Sequence, residues 1–155
     1  MRILLIAHQF FPEHYAGVEV LTLGLARAAK DRGHEPYVLA PKRSFPINDL
    51  RPGELEDYEF EGIPVRRVGR PTEGYTRPYR LDYENEVIAQ RVREYVRQVR
   101  PDVVHAMHFQ GASTSIIPAI KELDIPLVYT ATDFWAICPV VDLHRHDGVM
   151  CEGKN

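Results

Sequence analysis

A polar pair followed by two aromatic side chains forms the stretch of this chain best suited to chemistry. Thr132 and Asp133 come two residues after a short apolar run at residues 127–129, and Phe134 and Trp135 follow them. A hydroxyl and a carboxylate can hold polar groups of a ligand, and aromatic rings can wall the site. The structural alternatives are that Trp135, the only tryptophan, packs in the core and that Asp133 caps a short helix.

Polar groups also follow two other apolar runs. Residues 2–7 lead into a loop over residues 8–17, which begins with His8. Residues 102–106 lead through His105 into a loop over residues 107–111, which contains His108. In doubly wound α/β proteins, ligands sit outside the carboxyl ends of the strands. We therefore expect these loops and residues 130–139 to converge on one crevice.

The apolar pattern predicts the elements that must position these loops. Continuous apolar runs at residues 2–7, 36–40, 102–106 and 125–130 are typical of strands buried on both faces of a parallel sheet. Helical spacing predicts helices over residues 18–32, 82–100 and 112–123, and alternation around Gly62 predicts a hairpin over residues 58–68. The first helix is predicted to end at Gly33. Its predicted buried face consists of Val18, Leu21, Leu25 and Ala28 or Ala29. The two later helices are predicted to bury Ile88, Val92, Tyr95, Val96, Val99, Ile116, Ile117, Ile120 and Leu123. This order predicts a Rossmann-like, doubly wound α/β fold with a mainly parallel sheet and helices on both faces.

Composition limits the classes of function. The 155 residues fit one domain, and a net charge of −3 argues against nucleic-acid binding. No apolar run is long enough to span a bilayer, and two cysteines do not make a disulfide framework. The expected location is the cytoplasm.

Two charged or metal-binding patterns leave alternatives open. A basic cluster in residues 66–80 fits an anionic surface, such as the inner face of a membrane contacted peripherally, or a solvated face; it comprises Arg66, Arg67, Arg70, Arg77 and Arg80. A second set could close a tetrahedral zinc site, although its spacing is not a standard one; it comprises Cys138, His144, His146 and Cys151. For residues 140–150 a small hairpin turning at Asp147 and Gly148 is the favoured prediction, and no metal is expected.

Four motifs together resemble the N-terminal domain of glycosyltransferase family four, the retaining enzymes of the GT-B fold. They are residues 2–6 (RILLI) with Pro12 and 16–19 (AGVE), residues 32–35 (RGHE) with Val38, residues 100–105 (RPDVVH), and residues 130–135 (TATDFW) with Cys138 and Pro139. The resemblance covers nearly the whole chain.

This resemblance implies that residues 1–155 are the acceptor-side half of a larger enzyme. A C-terminal domain outside this chain would bind the sugar nucleotide, and a glycan, a lipid or a small molecule would accept the sugar with retention. Neither a metal nor another cofactor is implied. We expect this chain alone to be inactive.

The resemblance also assigns roles to individual residues. The catalytic candidates are Asp133, Thr132 and His105, and the substrate-binding candidates are Ala16, Gly17, His108, Phe134 and Trp135. Family members often carry histidine where this sequence has Thr132, so His105 and His108 are candidates to fill part of that role. The family's paired glycines are replaced here by Ala16 and Gly17, at the start of a helix whose free N–H groups favour an anion.

Two alternatives come from other classes of protein. A dinucleotide-binding oxidoreductase needs a Gly-x-Gly-x-x-Gly turn after the first strand, and residues 8–17 contain only one glycine. A flavodoxin-like, non-enzymatic binding module of the receiver type would carry acidic residues at the end of the first strand, where this chain has His8 and Gln9.

Overall fold

A computed structural model describes residues 1–42, 50–71, 78–138, 141–145 and 147–152. Its strands are β1 (Arg2–Ile6), β2 (Glu35–Lys42), β3 (Leu55–Phe60), β4 (Ile63–Gly69), β5 (Val103–Ala106) and β6 (Leu127–Tyr129). They form one sheet in the order β3-β4-β2-β1-β5-β6. The β3–β4 pair is antiparallel, and the other four neighbouring pairs are parallel. The strand order reverses between β1 and β5, which is where such sheets bind ligands.

Helices cover both faces of this sheet, as predicted. They are α1 (Gly17–Asp31), α2 (Pro78–Tyr83), α3 (Glu86–Val99) and α4 (Ile116–Lys121). One apolar cluster joins α1 to the sheet through Leu23 and Ala26, and another joins α3 and α4 to the opposite face through residues such as Ile88 and Ile116. Burying each large aliphatic side chain contributes about 1.5–3 kcal/mol.

The predicted inward face of α1 was wrong at Leu21 and Leu25, whereas Val18, Ala28 and Ala29 are half-buried. Leu21 and Leu25 are exposed, and the buried residues are Glu19, Thr22, Leu23 and Ala26. The helix thus turns a partly polar stripe towards the sheet, which apolar spacing does not reveal. Its end was predicted correctly: Gly33 has φ +76°, and its N–H donates to the Lys30 carbonyl.

The long helix predicted over residues 82–100 is divided. It consists of α2 and α3, because Asn85 leaves the helical conformation and its side chain accepts a hydrogen bond from the Ile88 N–H at 3.2 Å. The predicted apolar stripe of α3 is buried as expected, and Arg100 ends this helix with φ 50° before Pro101.

The helix predicted over residues 112–123 is shorter than expected. Only Ile116–Lys121 is helical, and Pro118 lies in its first turn, where proline is tolerated. Ile116 and Ile120 are buried, whereas Ile117 and Leu123 are partly buried against the same core. Residues 109–115 form turns instead, and they lie close to the crevice loops described below.

The predicted hairpin is formed by β3 and β4, and it buries three arginines of the basic cluster. Arg66 makes two hydrogen bonds of 2.6 Å to Asp57, Arg67 contacts Glu13 and Glu56, and Arg70 contacts Asp82. The cluster is therefore largely engaged within the fold. Arg80 is exposed beside Glu84, and Arg77 lies outside the described residues.

At the C-terminal end, the predicted turn and bridge of residues 140–150 are partly visible. His144 and Met150 form an antiparallel bridge, and Gly148 turns with φ +78°. Within the described residues, no helix has the length and apolar character needed to cross a membrane.

Two glycines are expected to respond oppositely to alanine. Gly24 is exposed in α1 with open space around an added Cβ, so Gly24→Ala should raise the free energy of unfolding by about 0.5–1 kcal/mol. At Gly69 an added Cβ would lie 2.0 Å from the Arg51 carbonyl oxygen, so Gly69→Ala should lower it by about 1–3 kcal/mol. Urea unfolding measures both. Equal effects of the two variants would contradict the packing described for β4.

Candidate active site

The crevice is built where the carboxyl ends of β1, β5 and β6 meet. Parallel pairing aligns Ile6 with Ala106 and Ala106 with Tyr129, so the following loops leave the sheet at one edge. A hollow of about 420 Å³ lies there. Its two walls are the first loop with the start of α1, and the segment after β6; the lining residues include His8, Ala16, Gly17, Thr130, Ala131 and Thr132.

The loop over residues 107–111, which was predicted to line the crevice, lies behind it instead. His108 is only 1% exposed. Its Nδ1 accepts a hydrogen bond from the Gln110 N–H at 2.9 Å, so Nε2 carries the ring proton and donates to Asp133 Oδ2 at 2.7 Å. The structure therefore brings two predicted site residues together, with the histidine supporting the carboxylate from inside the protein.

Asp133 is a fixed carboxylate beside the crevice. Its Oδ1 accepts the Trp135 N–H at 2.8 Å, and its side chain is 31% exposed. Partial burial favours the neutral acid, but the hydrogen bonds from His108 and the Trp135 N–H outweigh that effect and lower the pKa of Asp133 below its usual value. A carboxylate has about four lone-pair sites, so this side chain can still accept hydrogen bonds from a ligand hydroxyl.

Thr132, like Ala131, lines two hollows. Its hydroxyl donates to the Met107 carbonyl at 3.3 Å. Besides the crevice, it lines a second hollow of about 450 Å³, together with Ala131, Asp133, Phe134, Ala136 and Ile137. Asp133 thus faces a space whose other walls are mainly apolar.

The two aromatic residues of this stretch have different places. Phe134 is 50% exposed and lines the second hollow. Trp135 is 4% exposed and stacks on Tyr83 with the ring centroids 5.3 Å apart. It also contacts the His108 ring, so Trp135 backs the site instead of lining it.

His105 is placed apart from the crevice. Its Nε2 lies 2.7 Å from the Thr130 hydroxyl oxygen, and it lines a hollow between α1 and the sheet with apolar residues such as Leu5 and Leu25. Burial lowers the pKa of His105, which keeps the neutral ring favoured at neutral pH. Its predicted catalytic role stays a prediction.

The start of α1 contains a buried carboxylate that the sequence reasoning missed. Glu19 is 0% exposed; its Oε2 accepts the Ala16 N–H at 2.8 Å, and its Oε1 lies 3.3 Å from His8 Nε2. Ala16 is the residue before the helix, and Gly17 is its first residue. The glutamate three positions after Ala16, in the first helical turn, is the sequence signal that could have found this contact.

The hairpin holds the first crevice loop in position. The Tyr58 hydroxyl and Arg67 Nη2 both donate to the Phe11 carbonyl, and the Phe11 ring stacks on Phe60 with centroids 5.1 Å apart. Burial raises the pKa of Tyr58 to about 12, so its phenol remains a donor at neutral pH.

The described residues contain no arrangement of side chains that favours the zinc alternative. Among them, no three His, Cys, Asp or Glu side chains are grouped as metal ligands would be. Cys138 is buried with a free thiol. His146 lies outside the described residues, so the four-residue set as a whole stays a prediction.

Fold and site define a Rossmann-like α/β domain with a ligand crevice at the switch point of its sheet. Residues 15–148 match Glycosyltransferase Family 4. The chain therefore belongs to glycosyltransferase family 4.

Two individual proteins are similar to this chain. The chain is 22% identical over 157 residues to an uncharacterized 42.6 kDa protein in the cps region of Klebsiella pneumoniae, covering 97% of this chain and 41% of that protein. Its fold is similar to the catalytic domain of Starch Synthase IV from Arabidopsis thaliana bound to ADP and acarbose, with a TM-score of 0.58 and 19% identity over 85% of this chain. The chain spans 34% of the length of that structure and 41% of the length of the Klebsiella pneumoniae protein, which is less than half of each.

The Asp133 carboxyl should titrate below its usual range. Its pKa is lowered in the folded state, so the associated stability is present above the unfolded value and is lost as the pH falls through the folded value. A ¹³C NMR titration should give a midpoint below the ordinary value of an aspartate carboxyl. Replacing the donor in His108→Phe should raise that midpoint. An unchanged Asp133 midpoint in the variant would contradict the assigned hydrogen bond.

Proposed function

We propose that this chain is the acceptor-side domain of a glycosyltransferase. In the full-length protein it would present an acceptor hydroxyl to a sugar nucleotide, and the glycosyl unit would move to that hydroxyl with retention at the anomeric carbon. The observation that carries the proposal is the carboxylate of Asp133, anchored by His108 and the Trp135 N–H at the edge of an open hollow. Family membership supports the reaction class.

Asp133 is suited to orient a hydroxyl group. Both of its oxygens are fixed by one donor each, which sets the carboxylate plane while leaving lone pairs for a ligand. Because the lowered pKa keeps it ionised, it accepts hydrogen bonds near neutral pH. In this role Asp133 holds the acceptor oxygen at a defined angle, which lowers the entropic cost of the transfer.

The second hollow favours a sugar as the acceptor. A pyranose ring has one apolar face and several hydroxyls, and this hollow combines the exposed ring of Phe134 with the carboxylate of Asp133. Thr132 adds a hydroxyl at the boundary with the crevice. We therefore place a glycan acceptor against Phe134, with a lipid or another small molecule as the alternatives that an acceptor screen would reveal.

The donor would be bound largely by a C-terminal domain outside this chain. The relatives are more than twice as long as the matched segment, which leaves room for such a domain. Ala16 and Gly17 at the start of α1 border the crevice and would face the donor phosphates. We propose no metal and no cofactor for this chemistry, a cytoplasmic location, and no nucleic-acid partner.

A transfer screen on the full-length protein tests this proposal. Sugar nucleotides are combined with a panel of saccharide, lipid and small-molecule alcohols, and nucleotide release and product are measured. Asp133→Asn should lower kcat/KM for the acceptor about 10- to 100-fold, because a hydrogen bond to a charged group contributes about 1.5–3 kcal/mol. Comparing the anomeric configuration of product and donor by NMR tests retention.

Asp31→Asn is the matched control, since Asp31 is an exposed carboxylate in the last turn of α1, at the opposite end of that helix from the crevice. Its activity should equal that of the unaltered protein. Unchanged activity in Asp133→Asn would remove Asp133 from the site, and a product of inverted configuration would refute retention.

A further inference from the structure

A continuous set of buried polar contacts runs from the sheet to the crevice carboxylate. Arg70, at the end of β4, donates through Nη2 to Asp82 Oδ1 at 2.7 Å, and the Gly111 N–H donates to the same oxygen at 2.8 Å. The next residue towards the N-terminus, Gln110, donates its N–H to His108, whose Nε2 in turn donates to Asp133.

Burial makes these contacts costly to break. Asp82 is 3% exposed and Arg70 is 8% exposed. A buried charge that loses its partner destabilises a protein strongly, so Asp82 is held to both of its donors. The backbone carbonyl of Asp82 also accepts the Thr114 N–H at 3.0 Å, which ties α2 to the far side of the same turn.

The turn that carries His108 depends on this anchor. Gly111 adopts φ +78°, a conformation that residues with a side chain rarely take, and this directs its N–H to Asp82. With Gly111 fixed, the Gln110 N–H is directed at His108 Nδ1, and this bond selects the tautomer that protonates Nε2. The His8 ring also lies beside the imidazole, with its centroid 5.1 Å from that of His108.

We infer that Asp82 is a positioning residue: by fixing Gly111 and Gln110 it sets the tautomer and orientation of His108 and thereby the carboxylate of Asp133. Asp82 does not line either hollow at the crevice, so it acts through these bonds and not by touching substrate. The expected effect on activity rests on the proposed role of Asp133. The hydrogen bonds that connect Asp82 with His108 and Asp133 do not depend on that role.

The test uses variants that separate positioning from stability. Asp82→Ala removes the acceptor for Gly111, Asp82→Asn keeps a carbonyl oxygen there, and Val92→Ala weakens the core cluster at a buried residue of α3. The ¹⁵N shifts of the His108 ring report the tautomer, and the ¹³C titration of Asp133 reports its hydrogen bond. Both are measured on the folded protein, and kcat and KM on the full-length protein.

Asp82→Ala should mix the two His108 tautomers, raise the Asp133 midpoint and lower kcat about 10- to 100-fold with little change in KM. Asp82→Asn should recover part of each signal and supplies the comparison if the alanine variant does not fold. Val92→Ala should lower the unfolding midpoint without moving either NMR signal. The inference would be overturned if folded Asp82→Ala kept the wild-type His108 ¹⁵N shifts and the wild-type Asp133 midpoint. If only Asp82→Asn folds, the same result in that variant would overturn it. Altered His108 and Asp133 NMR signals with an unchanged kcat would support the positioning of His108 by Asp82 and would refute the proposed role of Asp133.

Discussion

The parallel pairing of β1, β5 and β6 is the constraint on which the crevice depends. A parallel connection must cross from one end of the sheet to the other, so the carboxyl ends of all three strands lie at one edge. This brings the start of α1, which follows β1, beside residues 130–132, which follow β6. A ligand at this edge meets backbone and side chains from widely separated parts of the sequence, and the fold itself supplies the site.

Behind the open crevice lies a tightly paired polar interior. His108, Asp82 and Glu19 are all almost fully buried, and each is held by partners in other loops. Such groups weaken a fold unless they are paired, so their cost is offset only by well-formed contacts. The benefit is rigidity: an exposed carboxylate can direct a hydroxyl only if the groups behind it do not move.

Sequence patterns predicted the parts of the fold that local rules decide. The strands, the apolar face of α3 and the stop at Gly33 were predicted because spacing and turn chemistry determine them. The face of α1 was not, because apolar spacing does not reveal that Glu19 and Thr22 are buried. The fate of Arg66 and Arg67 was not, because their partners Asp57 and the Phe11 carbonyl lie elsewhere in the chain. Asp133 and His108 were each predicted as site residues, but their bond joins positions 25 apart, which no local pattern shows.

The hollow beside Asp133 and Phe134 is the proposed binding site of an acceptor sugar. Amide ¹H–¹⁵N shift mapping during titration with a panel of mono- and oligosaccharides tests it most directly. We expect a binding saccharide to shift the amide signals of Thr132, Phe134 and Trp135, while the amide signals of the residues that line the hollow beside His105 stay unchanged. Saccharide-induced shifts confined to that other hollow, or no shift around Asp133 with saccharides that the full-length protein glycosylates, would contradict it.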